Sequence, residues 1–131
     1  MSAAPSPPVL AVTTPGVEGY RIARYIGIVA GETVIGKAIK SEMLALHRDL
    51  AEAQVAEWEN EIQKARYSAI VEMSARAQTF GANAVVGVAL DYELMGPQNS
   101  IILVTATGTA VVVEPLPEPF PPPPVGSLPP R

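Results

Sequence analysis

An α+β fold is predicted for this chain: two strands, a short helix and a long one, then two more strands, packed as an antiparallel sheet. Three observations predict it. Residues Ala38 to Phe80 contain neither glycine nor proline. The segments on either side are rich in Val, Ile and Tyr and punctuated by glycine. Between helix and third strand stands the run Gly81-Ala82-Asn83-Ala84-Val85-Val86-Gly87, followed by Val88 and the acidic Asp91-Tyr92-Glu93.

Val9 to Thr14 is the first strand candidate, short and β-branched. Thr14-Pro15-Gly16 is a turn signal, with Pro and Gly suited to fixed and positive φ respectively. Tyr20 to Ile35 reads as the second strand, expected to join the first in a hairpin or irregular pair. Gly27, Gly31 and Gly36 interrupt it, and glycines in a strand mark bulges or the close approach of another backbone.

In the helical stretch, Ile39, Met43, Leu46, Leu50 and Ala53 recur at helical spacing. A second register runs through Trp58, Ile62, Ala65, Ala69, Met73, Ala77 and Phe80. Glu72 and Arg76 form an i,i+4 pair on the opposite side. One unbroken helix of this length would reach about 60 Å, too long for so small a domain. A bend or break is therefore expected near Glu52 to Ala56. Gly81 is placed to end the long helix in a left-handed conformation.

Two strands follow. Ala84, Val86, Val88, Leu90 and Tyr92 are expected on one face of the third. Ser100 to Glu114 supplies the fourth, and Met95-Gly96-Pro97-Gln98-Asn99 reads as the hairpin loop between them. Both strands are apolar on both faces, whereas a sheet with one wet face shows clean alternation. One helical layer covers only one face. The other is the expected subunit interface.

The 131 residues set one domain, 48% of them hydrophobic. An apolar-rich small chain has greasy surface to hide, and self-association hides it. The net charge of −4 and the dispersed basic residues argue against a nucleic-acid or anionic-membrane surface. There is no cysteine, which excludes disulfides, thiolate nucleophiles and Cys-based zinc sites. No apolar run is of membrane-spanning length. Residues 1–8 read as a disordered leader without a signal peptide, so a cytoplasmic location is expected. Nine of the 14 prolines lie between Pro115 and Pro130. Residues 115–131 therefore read as a disordered, proline-rich tail that favours polyproline II. Within it, Phe120-Pro121-Pro122-Pro123-Pro124, preceded by Glu118, resembles the ligands of EVH1 domains, so a proline-motif-binding partner is an expectation for the tail.

Over residues 9–114 the chain resembles the YbjQ-like family, also labelled UPF0145 or "putative heavy-metal-binding domain". Thr13-Thr14-Pro15, Glu18-Gly19, Gly27-Ile28-Val29, Gly31-Glu32 and Val34-Ile35-Gly36 carry the first part of the resemblance. Arg48-Asp49, Lys64-Ala65-Arg66, the Gly81 to Gly87 run, Asp91-Tyr92-Glu93 and Gly108-Thr109-Ala110-Val111 continue it in order. The resemblance implies an α+β subunit assembling into a homo-oligomeric ring, typically a pentamer or two stacked pentamers. One region departs. Family members often carry Gly-Gly-Arg between the helical pieces, then Tyr-Glu; here stand Glu52-Ala53-Gln54 and Trp58-Glu59.

The family label suggests a metal, but soft or borderline ions want thiolate or imidazole. His47 is the one imidazole and reads as an ordinary helix residue. Glu18, Glu32, Asp91 and Glu93 remain. Of these, Glu32, Asp91 and Glu93 are the candidate metal ligands, the last two sharing one strand face that could hold a hard cation. The plain alternatives are solvated strand ends, ion pairs with Arg or Lys, and for Glu32 a turn or interface role. No Ser-His-Asp order, phosphate-binding glycine loop or cofactor-tied carboxylate pair is present. Trp58 and Phe80 read as core or interface anchors. No catalytic residue and no cofactor is assigned. The expectation is a homo-oligomeric binding or scaffolding protein and not an enzyme; the alternative is a metal or small-molecule binder whose site forms between subunits.

Overall fold

The computed structural model describes residues 9–36 and 51–117. Its elements are β1 (Leu10–Ala11), β2 (Tyr20–Gly36), α1 (Ala51–Thr79), β3 (Ala84–Met95) and β4 (Ile101–Pro115). The fold is α+β, as expected. The sheet order is β1-β3-β4-β2, with β2 and β3 antiparallel to β4 and β1 parallel to β3. The sheet is thus mixed, not purely antiparallel.

No hairpin joins the first two strands. They lie at opposite edges of the sheet, with β3 and β4 between them. The physical reason lies in residues 12–17. Val12 and Val17, with Ile22, pack against Ala84, Val86, Val111 and Val113, so the connection crosses the sheet face and covers it. Only two residues of β1 count as strand, yet its backbone bonding runs further. Val12 N–H donates to the Val85 carbonyl at 2.9 Å, Val88 N–H to Val12 at 3.0 Å, and Gly87 N–H to Thr14 at 2.8 Å.

α1 is continuous over its 29 residues, about 44 Å. The break expected between Glu52 and Ala56 does not occur, because every residue there is compatible with helix and nothing stops it. The expected short helix and His47 lie outside the described residues. Ala65, Ala69, Met73 and Ala77 are buried along one stripe, against Val29, Val85, Val104, Ala106 and Ala110 of the sheet. Phe80, which the spacing placed on this stripe, follows α1 and is 64% exposed. The alanines matter because α1 sits on main chain. At Gly31 an added Cβ would collide with the Ala69 carbonyl oxygen and stand 2.6 Å from the Met73 nitrogen. Gly31 is the close approach that the strand glycines suggested.

The helix ends as the glycine predicts. Gly81 has φ of 89°. Its N–H donates to the Gln78 carbonyl at 2.9 Å, and Ala82 N–H donates to Ala77 at 3.1 Å. This is the paired 5→2 and 6→1 pattern of a Schellman cap.

A bulge then overturns the expected alternation in β3. Val86 pairs with Thr109, but Ala89 pairs with Thr107, so three steps on β3 span two on β4. Gly87, at φ 63°, absorbs the extra residue. Ala84 and Val86 therefore face away from α1, while Leu90, opposite Ala106, and Tyr92, opposite Val104, face toward it. Arg66 of α1 donates to the Tyr92 hydroxyl at 3.3 Å. β2 carries two further register shifts, between Ile22 and Arg24 and between Tyr25 and Gly27. The β3–β4 loop is a 3₁₀ turn over Pro97–Asn99, with Gln98 and Asn99 both at φ 55°.

Candidate functional site

The sequence picked out Glu32, Asp91 and Glu93, and the pairing places all three on the sheet face away from α1. Asp91 and Glu32 are both Cα partners of Thr105, from opposite sides. They are thus two strand spacings apart, about 10 Å, and do not converge. Glu93 lies two pairs along, opposite Leu103. Glu18 sits exposed in the turn before β2.

Glu32 is held elsewhere. Its carboxylate accepts from Arg76 Nη1 at 3.0 Å, and its backbone N–H donates to Glu72 Oε1 at 3.1 Å. The same Arg76 nitrogen donates to the Ala30 carbonyl at 2.6 Å, and its Nη2 pairs with Glu72 at 3.0 Å. Glu72 and Arg76 do form the expected i,i+4 pair, but they face the sheet rather than standing idle opposite it. β2 is an edge strand, and its outward carbonyl and N–H at Ala30 and Glu32 need partners. Two helix side chains supply what a neighbouring strand would. Glycine flanking drew attention to Glu32, but its binding partners lie some 40 residues on, out of reach of local pattern.

The Gly81 to Gly87 run is also structural throughout. Gly81 caps α1 and Gly87 makes the bulge. Between them Asn83 acts as a side-chain peptide: Nδ2 donates to the Val113 carbonyl at 3.0 Å and Oδ1 accepts from Val113 N–H at 2.8 Å. Its own N–H donates to Val111 at 3.1 Å. An Asn one residue before a strand was the available signal for this role, and it carries no reactive setting.

What the fold leaves open is a surface. Away from α1, the connection through Val12 and Val17 covers only the end of the sheet around Ala84, Val86, Val111 and Val113. The reading that the whole second face awaits a partner is corrected to that extent. At the β2 edge of that end Tyr25, opposite Val111, and Ile28, opposite Thr109, are 70% and 85% exposed, and beyond it on the same face Val34, opposite Leu103, is 61% exposed. The outer edge of β3 is paired by β1 and its continuation only as far as Val88. Leu94 and Met95 beyond that point are exposed. An arrangement like this can bury apolar surface against protein.

Among the described residues, no group of three His, Cys, Asp or Glu side chains could hold a metal ion. Trp58 is half-buried and, with Ile35, Ile62 and Ile102, borders a narrow gap too small for a ligand. No described helix is long and apolar enough to cross a membrane.

A family model described as "Putative heavy-metal-binding", that of the YbjQ-like proteins, matches residues 9–114. Among solved structures, a protein of unknown function from Pediococcus pentosaceus, belonging to the DUF74 family, is similar to this chain at 16% identity and a TM-score of 0.45. That match covers 81% of this chain and 98% of the other. The donor set here does not fit a heavy metal. The sequence has no cysteine and a single histidine per chain, and Glu32 is engaged by Arg76.

Proposed function

We propose that this chain, which belongs to the YbjQ-like family, acts as a homo-oligomeric binding or scaffolding module and not as an enzyme. One observation carries the reading: among the described residues, the sheet face away from α1 exposes Ile28 and Val34, and no described segment pairs the β3 edge beyond Val88. The described residues of one copy leave that surface uncovered, and each fully exposed large aliphatic group in water forgoes about 1.5–3 kcal/mol of burial. A second copy of the same chain is the partner always at hand. The assembly is a ring of the pentameric type that the family resemblance implies, single or stacked, in the cytoplasm. The acidic net charge of −4 supports protein rather than nucleic acid as the partner.

Native mass spectrometry on the full chain tests this. The expected result is a single closed oligomer with no co-purifying ion or small molecule. A monomer at micromolar concentration overturns the proposal. An ion retained in fixed ratio to subunits favours instead a binder whose site is completed between copies, with Asp91 and Glu93 as the first residues to change.

A further inference from the structure

We propose that the proline run of the tail, Phe120 to Pro124, docks on the chain's own sheet, across the tyrosines of β2 on the face away from α1. The proposal is independent of the self-association above, and it narrows the surface left for that to Val34 and the β3 edge. Behind it stands a row of side chains. Tyr20 lies opposite Pro115, Tyr25 opposite Val111 and Ile28 opposite Thr109. Val111 packs with Ile22 on the face away from α1, and alternate residues of β4 share that face, so all three point there. Simple alternation would put Tyr20 and Tyr25 on opposite sides. The two register shifts of β2, one on each side of Tyr25, bring the three together. Among the described residues they are exposed, at 46%, 70% and 85%.

Position selects the occupant. Residues 1–8 join the described chain at Val9, beside β1 on the edge opposite β2. Residues 37–50 leave from Gly36, opposite Ile101, eight strand residues past Ile28, and have to return to α1 at Ala51. Residues 118–131 start beside the row itself. Pro115 is the Cα partner of Tyr20, and Leu116 N–H donates to the Gly19 carbonyl at 2.9 Å. Fourteen residues of polyproline II reach about 43 Å, enough to turn back along β2. Pro117 and Pro119 stand where that turn has to be made.

Chemistry and length agree with it. Pro121 to Pro124 extend about 12 Å as polyproline II. From Tyr20 to Tyr25 the sheet advances four residues of β4, about 13 Å. The four prolines have no N–H, so they cannot add to the β2 edge as a strand and have to lie across side chains. Tyrosine is the surface that such a helix fits: its ring packs on proline rings, and its hydroxyl donates to carbonyls that polyproline II leaves unbonded. A partner that reads the Phe120 to Pro124 motif has then to lift it off β2 first.

The absence of native cysteine makes the test direct. In the full chain, Gly126→Cys is combined with Ile28→Cys or, as a control, with Ala89→Cys, an exposed position opposite Thr107 on the same face. The tail is long enough to reach either. Disulfide formation under a mild oxidant is followed by mass under denaturing, non-reducing conditions. The Ile28 pair is expected to close within one chain at least about tenfold faster than the Ala89 pair. Replacing Pro121, Pro122, Pro123 and Pro124 each by Ser, which keeps the tether length, is expected to bring the two rates within about twofold of each other. Equal rates in the parent, an Ile28 advantage that survives the serines, or covalent dimers in place of intrachain links each overturns the docking. None of these outcomes bears on the oligomer, whose mass is read separately on the chain without cysteines.

Discussion

The two ends of the sheet are built from the same strands and finished differently. At the end holding Ala84, Val86, Val111 and Val113, α1 lies on one face and the Val12–Val17 connection on the other, with β1 along the edge. At the end holding Val34, Leu94 and Met95, α1 again covers one face, but the described residues leave the other face and the β3 edge bare. Strand composition does not separate them, since both ends are rich in Val, Ile and Leu. What separates them is whether a neighbouring segment of chain arrives to cover them.

That contrast can be broken or sharpened by substitution. The largest effect is expected at the helix–sheet contact that serves both ends. Gly31→Val should cost more than about 3 kcal/mol and abolish cooperative unfolding by circular dichroism, because backbone, not a yielding side chain, fills the space. At the finished end, Asn83→Ala strands both backbone groups of Val113 and should lower stability by about 2 kcal/mol in urea titrations. Gly81→Ala forces a side chain into the positive-φ cap and should cost about 1–2 kcal/mol by the same measurement. Arg76→Ala should cost under about 1 kcal/mol, since the ion pairs are half in water, while baring the Ala30 carbonyl. Smallest of all, Val34→Thr at the unfinished end should change the unfolding free energy of a dissociated chain by under about 0.5 kcal/mol. A loss there as large as at Asn83 would mean that both ends are equally finished, and the contrast would be lost.

Local signals gave the helix stripe, its glycine cap and the β3–β4 hairpin, because each depends on residues within a few positions of one another. Gly31 was legible as a close approach, though not which backbone approaches. Non-local features were hidden. Nothing near Leu10 and Ala11 announces a parallel partner some 70 residues on, so a hairpin with β2 was the natural but wrong expectation. The bulge at Gly87 inverted the assignment of faces beyond it, because one extra residue exchanges every later side chain between the two sides. The candidate carboxylates were recognised as unusual, yet Glu32 owes its setting to an ion pair made across the tertiary structure.

The direct seating of α1 on Gly31 has a mechanical result. Where side chains separate a helix from a sheet, rotamer changes let one slide over the other. Here carbonyl and amide of the helix rest against strand main chain, which offers no such slack. Helix and strand must tilt as one piece. Any twist imposed on β2 by a contact at its rim would then swing Lys64, Tyr67 and Val71, on the solvent flank of α1, like the far arm of a balance.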